Sequence, residues 1–367
     1  MLIPIMKTPE ASRHFVKWTD PVSGVESFLL NSEEIPLIQS FYFVNRSFTE
    51  DGRYLWFYCA FPPSETRCLG LMDFETDTVR FLPETQFLDA SPMIDPKTGD
   101  AYWASVTELW KISPAPGSKP EYVNCFPQDI AKGRRPFRLG THFTLCADGK
   151  SVNFDIEVGE EWYLGKMPLD GSSPEIWVKN DVCMNHAQFS PTDPDLMLYA
   201  HDGWRDHLGN FHGYVKRMWL IRKGQDPKPI FPEDTQKHGH EWWDPSGKFV
   251  WYVHYGEGTK KVDISNGKDE MIWPNRSASH SHSSKDGRYL AGDISAYTGS
   301  KALKVSFYDS RTGKETAIVS SMAGLPEQVK YHVHPHPQFC VNDKYVCYTT
   351  NVLGRANLAL VPVDELI

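Results

Sequence analysis

The chain has 367 residues, a formal net charge of −9 and a composition that is 40% hydrophobic and 13% aromatic, with 12 tryptophans. That length accommodates one large all-β domain or two smaller ones. No basic stretch can neutralise a phosphate backbone and no apolar run reaches spanning length, so neither a nucleic acid nor a membrane is expected as a partner. The seven cysteines show no CxxC spacing and the N-terminus has too short an apolar run for a signal peptide, which points to buried thiols and a cytoplasmic protein.

Taken in chain order, GVESFLLN over 24–31 reads as a lone strand, and then one unit begins to recur: a short strand, a turn built on Asp, Gly or Pro, and an aromatic-rich alternating strand. The copies are SFTEDGRYLWFY from Ser47, MIDPKTGDAYWAS from Met93, FTLCADGKSVNFDI from Phe143 and FSPTDPDLMLYAH from Phe189. They continue with WWDPSGKFVWYVHY from Trp242, HSSKDGRYLAGD from His282 and FCVNDKYVCYTT from Phe339. Most are followed by a third strand and often a fourth, as in KKVDISNGKDEMIW, and the copies lie about fifty residues apart, the size of a propeller blade. The expected fold is therefore all-β, a seven-bladed β-propeller of four-stranded antiparallel blades forming a single domain over 1–367. The chain ends after ANLALVPV, a third strand, so the strand at 24–31 is expected to join the last blade and close the ring.

The strand before each Asp/Gly turn should line the central channel, and these read SFYFVNRSF, FLDASPMI, LGTHFTL, MNHAQFS, HGHEWWD, SHSHSS and HVHPHPQF. Nine of the 14 histidines fall there: His142, His186, His238, His240, His280, His282, His332, His334 and His336. Alternate histidines on a strand share a face, so HVHPHP beside SHSH suggests an imidazole site for a divalent metal with open positions, catalytic in type. Single residues such as His142 and His186 serve equally well as polar channel lining, and His254 as a satisfied structural residue. No GxSxG, Walker or dinucleotide glycine pattern is present, which removes a serine hydrolase elbow and nucleotide chemistry.

The segments HGHEWWDPSG, SHSHSSKDG and HPHPQF, with HDGWRD and KRMWLI, resemble the oligogalacturonate lyases, seven-bladed propellers that cleave uronate oligosaccharides. The resemblance implies a divalent cation, typically Mn²⁺, held by His280, His334 and His336, with His240 as general base and Arg217 as its cationic partner. It implies a uronate oligosaccharide substrate, with His186, His142 and Arg46 lining sugar subsites, and it leaves oligomeric state unspecified. One departure stands out: the family's glutamine ligand is replaced, since Tyr331 occupies its place and Gln328 lies three residues further off. His332, or water, is then the expected fourth ligand. A related lyase for a glucuronate-containing glycan, which need not use the metal, and a non-catalytic binding propeller are the competing expectations.

Overall fold

The computed structural model describes residues 6–88, 92–136, 138–294, 302–324, 331 and 333–367. Among the described residues seven antiparallel blade sheets follow one another along the chain, with a two-stranded ribbon, Trp204–Arg205 and Phe211–His212, inserted in the fourth, so the molecule is a seven-bladed β-propeller. The second strands of blades one, five and six, Tyr54–Ala60, Phe249–His254 and Tyr289–Ile294, are buried along most of their length because blades stack on both of their faces. In blade one Tyr54–Ala60 is buried at all but its first residue. Between blades one and two, Trp56, Tyr58, Leu69 and Phe87 pack with Ile94, Trp103 and Ile112.

Blades one, two, four, five and six have the expected four strands. Blades three and seven do not. In blade three the inner position of 139–146 is reduced to single bridges, Leu139 to Ile156 and Leu145 to Val152. A side chain takes over the ladder there: Asn153 accepts from the Thr144 backbone N–H and hydroxyl and donates to the His142 and Ala187 carbonyls. Blade seven carries five strands, Gln338–Cys340, Tyr345–Thr350 and Asn357–Pro362, followed by Glu26–Leu30 and then Phe15–Thr19.

Blade one also departs from the expected inner strand SFYFVNRSF. The strand stops at Gln39 and the chain rejoins the blade at the bridge of Phe48 to Leu55. Between them, hydrogen bonds to other blades hold a loop in the channel. The Ser40 N–H donates to Thr349 Oγ1 (2.9 Å), Asn45 Nδ2 donates to the Phe143 carbonyl (2.7 Å), and the Ser47 N–H donates to Gln338 Oε1 (3.1 Å). Tyr42 and Phe43 of this loop plug the channel, and both are buried.

All seven cysteines are free thiols. Among the described residues, no helix is long and apolar enough to cross a membrane.

Candidate active site

Five blades present a histidine at the same structural position. In blades three to six the turn after the inner strand is closed by the backbone N–H of Cys146, Ser190, Asp244 and Ser284, and in blade seven Cys340 pairs with Tyr345. Four residues before each stands His142, His186, His240, His280 and His336; the corresponding residue of blade one is Asn45. The local backbone explains how these rings reach the channel mouth. In blade four His186 and Ala187 together oppose Tyr199, and in blade five His240 and Glu241 together oppose Tyr252, each an inserted residue that kinks the strand and re-aims a side chain. His186, His240 and His336 have φ of +54°, +51° and +43°, a left-handed conformation uncommon outside glycine and concentrated at functional sites.

His280, His334 and His336 are buried, and their ligand atoms lie within 4.8 Å of one another. Ring centroids are 4.5 Å apart for His280 and His336 and 5.3 Å for His334 with either. His280 Nδ1 lies 2.8 Å from Asp293 Oδ2, so the nitrogen left for a cation is Nε2. Three imidazoles and no thiolate form a donor set suited to Mn, Fe, Co, Ni or Zn with positions left open, and the residues therefore fit a catalytic divalent cation. His332 and Gln328 lie outside the described residues. Tyr331 is turned away: its hydroxyl donates to the Ser64 carbonyl and its own carbonyl accepts from Arg67 Nη1 (3.1 Å).

His240 adjoins the cluster, its ring centroid 3.8 Å from that of His280. Its Nδ1 faces the Ser279 carbonyl and lies 3.1 Å from the Tyr255 hydroxyl. A carbonyl can only accept, so Nδ1 carries the proton and Nε2 holds the lone pair. Burial, followed by the nearby His280, pushes the His240 pKa well below the usual imidazole value and keeps the ring neutral. Arg217 is buried, with Nη1 3.1 Å from Asp202 Oδ2 and Nη2 3.5 Å from Glu241 Oε1. Burial works against its charge, but Glu241 and Asp202 outweigh that and raise its pKa. Arg217 also helps hold His186 and His240 neutral.

Tyr42 forms the floor between the histidines, its ring centroid 4.9 Å from His336, 5.4 Å from His142, 5.8 Å from His186 and 6.3 Å from His280. His142 is fully buried, neither ring nitrogen has a hydrogen-bond partner among the described residues, and burial with Arg138 pushes its pKa down to about 3. His142 and His186 are thus brought to the same mouth as the three-histidine cluster, each in ring contact with Tyr42. Arg46 is not. It is exposed, pairs with Glu50 at 3.3 Å, and lines a cavity of about 360 Å³ at the turn ends of the inner strands, with Trp242 and His282. The alternate pairs are split: His238 packs among Phe231, Tyr252 and His254, while His282 lies against Trp242 and Phe339.

Sequence reasoning missed Tyr42, Tyr255, Arg138, Glu241 and Asp293. A signal existed for the last. Asp293 is the lone charge in the buried strand YLAGDI, and a buried charge requires a partner.

No protein-family model matches the chain. Among curated proteins it is 25% identical to an oligogalacturonate lyase of Dickeya dadantii over 210 residues, 52% of each chain. It is likewise 25% identical to an oligogalacturonide lyase of Pectobacterium atrosepticum over 221 residues, 55% of each. The matched stretch thus spans about half the length of these curated relatives. In fold it superposes on an oligogalacturonate lyase solved in complex with manganese, with a TM-score of 0.78 at 18% identity, over 96% of this chain and 97% of that one. An oligogalacturonate lyase from Vibrio parahaemolyticus matches with a TM-score of 0.77 at 18% identity, over 95% and 96%. The chain is thus similar to the oligogalacturonate lyases in sequence over about half of its length and in fold over nearly all of it.

Proposed function

We propose that the protein is a carbon–oxygen lyase that cleaves uronate oligosaccharides of the oligogalacturonate type by β-elimination. The observation that carries this reading is the convergence of His280, His334 and His336 beside a neutral, oriented His240. The names of the curated relatives and the manganese complex of the fold neighbour support both the substrate class and the choice of Mn²⁺.

Elimination across a 4-linked uronide requires loss of the C5 proton, which is weakly acidic while the adjacent carboxylate stays charged. His280, His334 and His336 would hold a divalent cation, which would supply Lewis-acid neutralisation of that carboxylate and of the enolate-like charge that develops. His240 accepts the C5 proton at Nε2, since Nδ1 is committed to the Ser279 carbonyl; the C5–H electron pair forms the C4–C5 double bond as the C4–O4 bond breaks, and the departing O4 takes a proton from water. Arg217, held charged by Glu241 and Asp202, adds a fixed positive charge near the base. Tyr42 bars the channel below the rings, and His142 and His186 face the sugar from the opposite wall.

Digalacturonate supplied with Mn²⁺ is expected to yield the ultraviolet absorbance of a 4,5-unsaturated uronate, and His240→Ala to lower that rate by about 10²–10⁴. Absorbance with a glucuronate-ended glycan but not with digalacturonate would reassign the sugar. No absorbance with either, or an unimpaired His240→Ala variant, overturns the reading.

A further inference from the structure

Asp293 lies on the second strand of blade six, Tyr289–Ile294, directly opposite His280 in register. Both side chains are fully buried. The His280 backbone N–H donates to Asp293 Oδ1 (2.9 Å), and His280 Nδ1 lies 3.1 Å and 2.8 Å from the two carboxylate oxygens. The same carboxylate also accepts from the backbone N–H of His336, in the next blade. One side chain therefore grips two of the three candidate ligands across a blade boundary.

Blade three contains the same device without the imidazole. Asp155, at the matching place on its second strand, accepts from the Thr141 N–H (2.8 Å) and hydroxyl (2.7 Å) and from the Ala187 N–H (3.0 Å) of blade four. Thr141 stands where the ring of His280 would have to reach, so His142 gains no such partner. Among the described residues the three-histidine cluster forms only over Asp293.

We propose that Asp293 is the positioning residue of the cation site: it fixes His280 as the Nδ1–H tautomer and ties His336 to it. This inference rests on the reading that the three histidines hold a divalent cation. A carboxylate without a proton can only accept, so it holds hydrogen on Nδ1 and leaves the Nε2 lone pair to a metal. Asn in the same place presents an N–H to one side, and a ring that turns its Nδ1 lone pair to that group carries its proton on Nε2, the ligand atom.

The test titrates metal-free protein with MnCl₂ by calorimetry and reads the His280 tautomer by long-range ¹⁵N–¹H spectra of the metal-free imidazoles. Wild-type His280 is expected as the Nδ1–H form, and Asp293→Asn is expected to weaken Mn²⁺ binding by about 10–100-fold. Asp155→Asn, which perturbs the twin device, is expected to stay within about threefold of wild type. An Nε2–H tautomer in the wild-type protein overturns the proposal whether or not a variant folds. So does Asp293→Asn with wild-type affinity, or an equal loss in both variants, which would mark a packing role. Failure of the wild-type protein to bind Mn²⁺ while His280 shows the Nδ1–H form counts against the cation reading alone.

Discussion

Arg217 and Glu241 illustrate how the site's charges constrain one another. Glu241 is only 2% exposed and sits next to His240, with the Arg217 guanidinium as its ion-pair partner at 3.5 Å. Removing one member of a buried pair leaves the other desolvated and uncompensated, which costs about 3–5 kcal/mol. Arg217→Ala is therefore expected to lose stability of that order in denaturant unfolding as well as activity. A variant within about 1 kcal/mol of wild type would mean that Glu241 takes its charge balance from elsewhere. Tyr255 has a milder role, since the Ser279 carbonyl continues to orient His240 when the hydroxyl is gone. On the proposed reading, Tyr255→Phe should lower the elimination rate by less than about tenfold, far less than His240→Ala.

At the scale of strands and turns, the ring is sealed by an acidic clasp outside the site. Asp20, in the turn between Phe15–Thr19 and Glu26–Leu30, accepts from the Ser320 N–H (2.8 Å) and hydroxyl (2.6 Å) on the outer strand of blade six, and from the Ser23 N–H (2.8 Å). Burial alone would raise its pKa, but these hydrogen bonds outweigh it and hold the carboxyl at about 2, below the ordinary 3.8. A depressed pKa contributes stability above the unfolded value and loses it as pH falls through the folded one. Asp20→Ala is expected to cost about 1–3 kcal/mol near neutrality. The gap between variant and wild type should close as the pH drops from 3.8 towards 2. A gap that stays constant over that range would place the effect in packing.

These elements also show where the sequence was readable. The seven turns and their aromatic strands were legible because each copy satisfies the same local rules, period-two alternation ending in Asp, Gly or Pro. The histidines were legible as a group on inner strands, yet the period-two rule misplaces individuals. His238 and His240 should share a face, but the inserted residue after Gly239 sends His240 to the mouth and leaves His238 packed on Phe231 and Tyr252. His334 and His336 precede the strand Gln338–Cys340 altogether, and the left-handed backbone at His336 aims its ring instead of strand alternation. A positive φ at a histidine leaves no mark in composition or spacing. Nor does the loop after Gln39, because the hydrogen bonds that hold it in the channel come from blades three and seven, far away in sequence.

For the molecule as a whole, the site depends on the first strands being paired with the last. Glu26–Leu30 lies against Asn357–Pro362, with Phe28 opposite Leu360 and Leu29 opposite Ala359. Asn357 Nδ2 donates to the Leu30 carbonyl (3.0 Å), and the Tyr348 hydroxyl donates to Ser27 Oγ (2.8 Å). The blade closed in this way is the one that brings His334 and His336 beside His280. Deleting residues 1–31 would leave Asn357–Pro362 as an open sheet edge and uncover Leu358 and Leu360, both fully buried in the intact chain. The truncated chain is expected to melt at a lower temperature, to elute as aggregate in size-exclusion chromatography, and to lose Mn²⁺ binding in calorimetry. Separate outcomes locate the coupling. Lost stability with retained binding would show that blades six and seven hold the cluster by their own contact, whereas an unchanged melting temperature would show that six blades and a three-stranded seventh close the ring unaided.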